Sequence, residues 1–254
     1  MDEGRQNFWS HLGELRVVLI RIALTLAVAT FLSFFFSDFL LRWLVGPYQQ
    51  VLSWSQGDTP RGGLMTLYPA EAFLISLRIS LMAGLILSLP LILYFLWSFV
   101  APGLMPHEKK AILPSLYAGT GLFILGALFA FYFVVPVALR FFWEYGEGMG
   151  VAPAWTLVHY IGFVLMFLLA FGLAFELPLV TLLLSIFGVL SPDQLSAKRP
   201  YIIIGILILA AVMTPPDVVS QLMLAFPMWI LFEASILLAR FFLKKRGKHQ
   251  NDSN

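Results

Sequence analysis

A short polar cluster, His11-Leu-Gly-Glu14-Leu-Arg16, stands immediately ahead of the first long apolar run of the chain. His11, Glu14 and Leu15 are three and four residues apart, so a helix brings them to one face. Two readings fit: a carboxylate offered to a cationic ligand, or an interfacial amphipathic turn whose charges only set topology. A second cluster, Ala101-Pro-Gly-Leu-Met-Pro-His107-Glu108-Lys109-Lys110, sets one acid beside two lysines in a tight loop. Glu108 there is either a binding carboxylate or an anion suited to the start of the next helix.

A third acid, Glu176, lies in Phe171-Gly-Leu-Ala-Phe-Glu-Leu-Pro178, deep inside an apolar run. It stands about 14 residues, or ~21 Å of helix, from the run's end near Leu190, close to mid-membrane. A carboxyl at that depth costs a few kcal/mol and is rare without a partner or a task, although backbone freed by Pro178 could also satisfy it. Thr214-Pro-Pro-Asp217 reads as a hairpin turn with Asp217 capping the sixth helix. Glu71 caps or begins a helix, Glu233 snorkels or pairs with Arg240, and Arg78 snorkels or finds a carboxylate. No Ser/His pair, paired aspartates, phosphate loop or HExxH pattern accompanies these residues, and the chain has no cysteine. No catalytic residue, metal site or cofactor is therefore expected.

The elements that carry these groups follow from composition. The 254 residues are 60% hydrophobic and only 12% charged, with mean hydropathy +0.88, which excludes an ordinary soluble domain. A spanning helix needs roughly 20 apolar residues. The runs near 17–36, 71–100, 112–142, 157–190, 201–213 and 218–243 give an all-α polytopic membrane protein with six transmembrane helices in a single domain, 1–243. Residues 244–254 read as a basic, disordered cytoplasmic tail. Pro90 is expected to kink the second span, because proline lacks the amide donor and clashes with the preceding turn. The fifth run is short: thirteen residues rise only about 20 Å, so the last hairpin crosses a thinned bilayer. Residues 46–69 and 144–153 read as extramembrane loops, and the N-terminal run as a retained anchor.

Lysine and arginine fall unequally about these runs. Arg5, Arg16, Lys109, Lys110, Lys198, Arg199, Arg240, Lys244, Lys245, Arg246 and Lys248 lie on one side, and Arg42, Arg61 and Arg140 on the other. The positive-inside rule then puts both termini in the cytoplasm. The same distribution explains the net charge of +2 without a nucleic-acid partner.

Taken in order, five motifs resemble the TatC family, the multispanning subunit of the twin-arginine (Sec-independent) protein translocase. They are His11-Leu-x-Glu14-Leu-Arg16, Ala101-Pro-Gly-Leu-x-x-His107-Glu108-Lys-Lys, Phe171-Gly-x-x-Phe-Glu176-x-Pro178, Lys198-Arg-Pro200-Tyr201 and Thr214-Pro-Pro-Asp217-x-x-Ser220-Gln221. The likeness runs from about residue 8 to 243. It implies a concave, glove-like bundle in the bacterial inner membrane that uses the proton motive force and reads the signal peptides of folded precursors. By resemblance, Glu14 and Glu108, with Arg16 and His107 beside them, receive the arginine pair. Single-span subunits like TatA and TatB dock near Thr214, Asp217 and Gln221, further copies of the chain associate with it, and Glu176 is an intramembrane polar position. Two positions depart from the family pattern. Val18 stands where arginine is common, with Arg21 as a substitute, and Phe95 stands where glutamine is often seen. The competing readings are a secondary transporter for a small solute or ion, which predicts inverted repeats that are not visible, and an intramembrane enzyme.

Overall fold

The computed structural model describes the backbone of residues 2–54, 63–100, 112–150, 154–213 and 218–251, and the side chains of 13–52, 63–99, 112–150, 154–212, 218–241 and 244. The described chain is helical, with one isolated parallel bridge, Met65 to Thr156. In order the helices are α1 (Asp2–Phe34), α2 (Ser37–Leu44), α3 (Gly46–Trp54), α4 (Glu71–Val100), α5 (Ile112–Phe129), a π-helical turn (Ala130–Val134), α6 (Val135–Gly148), α7 (Leu157–Ile186), α8 (Pro192–Ala197), α9 (Arg199–Met213) and α10 (Val218–Asn251). Among the described residues, five stretches are long and apolar enough to cross a membrane: Gly13–Phe34, Glu71–Phe99, Ile112–Gly148, Leu157–Ile186 and Val218–Phe241. Helix α9, the sixth, has 15 residues and rises only about 22 Å at 1.5 Å per residue. α10 continues beyond its apolar part, through the expected boundary at 243, to Asn251.

The chain forms two compact units, Met1–Leu41 with Phe73–Gly121, and Arg42–Ala72 with Leu122–Asn254. In the first, α1 and α4 approach closely where Gly84 meets Thr30: a Cβ on Gly84 would lie 2.6 Å from the Thr30 amide nitrogen. Only a residue without a side chain lets the backbones meet there, the small-residue packing expected where lipid offers no hydrophobic drive. Helix α4 runs through Pro90 as one element. Hydroxyls bond back to their own helix, as Ser80 Oγ donates to the Ser76 carbonyl at 2.6 Å and Ser98 Oγ to Phe95 at 2.7 Å. Such bonds satisfy polar groups that the bilayer leaves without water.

In the second unit, α10 packs most extensively against α7, and Phe167 and Phe171 of α7 and Leu224 and Ile236 of α10 are buried. Gly126 and Gly172 let α5 and α7 meet. A Cβ on Gly172 would fall 2.7 Å from the Phe123 ring, and one on Gly126 would strike the Phe171 carbonyl. Between α5 and α6, Pro136 has no amide to give the Tyr132 carbonyl, and the preceding residues widen into the π turn. Trp43 stacks on Phe131 at that turn, with ring centroids 4.1 Å apart.

Two expected loops prove to be built. Residues 46–54 form α3, which packs on α6, and the Leu157 amide donates to the Met65 carbonyl at 2.8 Å, fixing the segment around Met65 to the start of α7. Tyr160 Oη donates to the Leu44 carbonyl at 2.8 Å, beside Tyr48, whose burial lifts its phenol above the ordinary value. Helix α6 extends to Gly148, past the boundary at 142, because Arg140 Nε donates to Glu144 at 2.6 Å and Trp143 Nε1 to Glu147 at 2.8 Å, each one helical turn on. Gly150, at φ +75°, turns the chain beyond it.

Candidate functional site

Glu14 and Arg16 do not sit on a separate interfacial turn. Helix α1 is continuous through them into the membrane-spanning part, and both are exposed. Beginning at Leu15 and Arg16 themselves, an open, mostly apolar depression is lined by Leu15, Arg16, Leu19, Ile20 and Ala23. The charged residue on that strip is Arg16, whereas Glu14 lies on the opposite face of α1, exposed at the start of the apolar stretch Gly13–Phe34. Val18, the departure from the family pattern, is buried, and Arg21 is exposed on the same helix. His11, His107, Glu108, Thr214 and Asp217 lie outside the residues whose side chains are described.

Glu176 sits in α7 two residues before Pro178. Its Oε1 is buried and has no hydrogen-bond partner among the described residues, so the expected bond to a carbonyl freed by Pro178 is not formed through that oxygen. An unsatisfied buried acceptor costs about 1–3 kcal/mol, more for a charged group. The rest of its motif has a packing role: Phe171 and Phe175 both meet Gly126, and Gly172 seats Phe123.

Gln221, one turn into α10, donates from Nε2 to the Leu207 carbonyl at 3.0 Å, tying α10 to the short α9. The other end of this hairpin carries a feature that sequence reasoning missed. Arg199, of the Lys198-Arg-Pro-Tyr motif, pairs with Glu233: Nη2 donates to Oε2 at 2.8 Å, and Nε stands 2.7 Å from Oε1 as an ion pair without hydrogen-bonding geometry. Arg240, expected as the partner of Glu233, instead bonds Asp193 Oδ1 at 3.0 Å and Ser196 Oγ at 2.8 Å. Asp193 belongs to α8, whose start is fixed reciprocally by Ser191 Oγ with the Gln194 amide and Gln194 Oε1 with the Ser191 amide. A charge-assisted bond of the Arg199–Glu233 kind ties α9 to α10. Glu71 begins α4 as expected, and its carboxylate reaches back to the Leu67 amide at 2.8 Å.

A family model described as Sec-independent protein translocase protein (TatC) matches residues 10–227. The chain belongs to the TatC family. It is 37% identical over 246 residues to the TatC of Carboxydothermus hydrogenoformans, covering 96% of this chain and 97% of that one. With the TatC of Aquifex aeolicus it shares 37% identity over 241 residues, 94% of this chain and 97% of the other. The TatC of Akkermansia muciniphila is 42% identical over 193 residues, and the match spans 56% of its length. The fold agrees with the crystal structure of the twin arginine translocase receptor TatC at a TM-score of 0.80 and 37% identity, over 91% of this chain and 98% of that one. This TatC family member is thus a multi-pass inner-membrane protein and a component of a protein translocase, not an enzyme.

Proposed function

We propose that the chain is the receptor subunit that binds twin-arginine signal peptides of folded precursors and scaffolds the export complex around them. The observation that carries the reading is the exposed Glu14 at the very start of the apolar stretch Gly13–Phe34 of α1, in a chain of this family. A guanidinium makes two parallel bonds to a carboxylate that a lysine ammonium cannot reproduce, so Glu14 and Glu108 together discriminate an arginine pair from a lysine pair. Both acids face the cytoplasm in this reading, as the lysine and arginine asymmetry requires. The test is a photoreactive residue at Leu15. In inverted membrane vesicles, which present the cytoplasmic face, it captures a twin-arginine peptide, and a twin-lysine peptide captures poorly. Capture from right-side-out vesicles alone, or equal capture of both peptides, would overturn the assignment.

The α9–α10 hairpin is, in the same proposal, the docking face for single-span subunits resembling TatA and TatB. Its support is the under-length α9, too short to cross a full hydrocarbon core, with the polar Gln221 of α10 tied to it. Thr214, Asp217 and Gln221 are the residues assigned to it. Gln221→Leu is expected to reduce co-purification of the single-span subunits while leaving the Leu15 crosslink intact. If both activities fall together, the Leu207 tie is structural and the docking role is wrong.

A further inference from the structure

Arg78 is the one charged side chain in the interior of α4, and neither the signal-peptide site nor the hairpin uses it. It is exposed, and no carboxylate among the described residues pairs with it. Its surroundings on the helix are apolar and also exposed: Phe73, Leu74, Leu77 and Leu81 are 61%, 45%, 44% and 50% exposed. Ile75, Ile79 and Met82, by contrast, are buried. The charge therefore stands at the edge of a half-exposed leucine stripe, with the buried face of α4 on its other side, and the ordinary neighbour of such a stripe is lipid.

Depth identifies the anion. The apolar stretch Glu71–Phe99 has 29 residues, about 43 Å of helix at 1.5 Å per residue. A hydrocarbon core is about 30 Å thick, so a centred helix leaves about 6 Å outside at each end. Arg78 is seven residues in from Glu71, roughly 10 Å along the axis, which sets its Cα only about 4 Å below the edge of the core. From there an extended arginine reaches the headgroup layer, where the abundant anion is a phosphodiester. The guanidinium fork matches two phosphate oxygens as it matches a carboxylate.

We infer that Arg78 is a phospholipid site: its guanidinium binds the headgroup phosphate of a lipid whose acyl chains lie on Leu77 and Leu81, on the core side of the headgroup layer. The lipid holds this end of α4 at a fixed depth. The same chemistry could come from free phosphate, and the leucine stripe separates the two sources, because only a lipid covers it.

The test is retention of lipid by the full chain in detergent, read by native mass spectrometry during titration with phosphatidylglycerol and, separately, with a galactosyl diacylglycerol that lacks phosphate. The parent protein should bind phosphatidylglycerol about tenfold more tightly than Arg78→Gln, the loss of one charge-assisted contact. The galactolipid should not distinguish them. Leu74→Arg in an Arg78→Leu background moves the charge one turn toward the headgroups on the same face and should restore retention. It decides the matter alone if Arg78→Gln fails to fold. Equal phosphatidylglycerol binding by the parent and Arg78→Gln overturns the site, as does displacement of the lipid by inorganic phosphate in excess. Loss of self-association in Arg78→Gln with lipid binding unchanged would also overturn it, by making a carboxylate of a second copy the occupant.

Discussion

Glu14→Lys and Glu108→Lys are each expected to abolish specific capture of a twin-arginine peptide, whereas Glu14→Gln and Glu108→Gln weaken it by about tenfold or more. The difference follows from the sign of the change. Glutamine removes one charge-assisted bond, worth roughly 1.5–3 kcal/mol, and 1.4 kcal/mol is already tenfold in affinity. Lysine adds repulsion to that loss, since a like charge now faces the peptide. Glu14 is exposed on α1, and the thermal midpoint of each variant, measured beside its affinity, separates lost binding from lost folding. Fluorescence anisotropy with a labelled twin-arginine peptide measures the affinities. Parent-like binding by Glu108→Lys removes Glu108 from the site and leaves it as an anion at a helix start.

How much of the fold and site is legible in the sequence depends on the range of the interaction. The apolar runs locate the spans within a few residues, because a bilayer imposes length and composition on each helix separately. Short-range bonds are misjudged by a turn. Glu144 and Glu147 look like loop residues on composition, yet each accepts from a residue four earlier and carries α6 to Gly148. Pairings between helices are not legible. Arg240 is seven residues after Glu233, two turns or about 10 Å along α10, too far for the pair expected of them. Arg199, 34 residues away in sequence, lies beside Glu233 on α9. The small-residue contacts are equally hidden: Gly84, Gly126 and Gly172 look alike within apolar runs, and only the neighbouring helix shows that each would clash if it carried a Cβ. Of the candidate binding groups, Glu14 is exposed as a receptor carboxylate requires, while Gln221 carries an internal bond that nothing in its motif announces.

Glu176→Leu should block export of a folded reporter while leaving capture of the signal peptide intact and the fold no less stable than the parent. The stability half of the forecast comes from the geometry of α7. Oε1 is buried without a hydrogen-bond partner among the described residues, and replacing an unsatisfied polar group by an apolar one of similar size removes a cost of about 1–3 kcal/mol. A group kept against that cost is a functional candidate, because leucine would serve packing better. We propose that the carboxyl offers a polar contact inside the membrane-spanning part of α7 to a signal peptide or partner side chain during transport. Glu176→Gln keeps a polar group of the same length and should retain most export. A proton relay makes the opposite forecast, since glutamine cannot exchange a proton and would stop export as completely as leucine. Export of the reporter and the thermal midpoint, measured for both variants at matched membrane levels, separate the three cases. Loss of export with a parent or higher midpoint in Glu176→Leu, and activity in Glu176→Gln, supports the contact. Loss in both supports the relay, and full export by Glu176→Leu eliminates each of them.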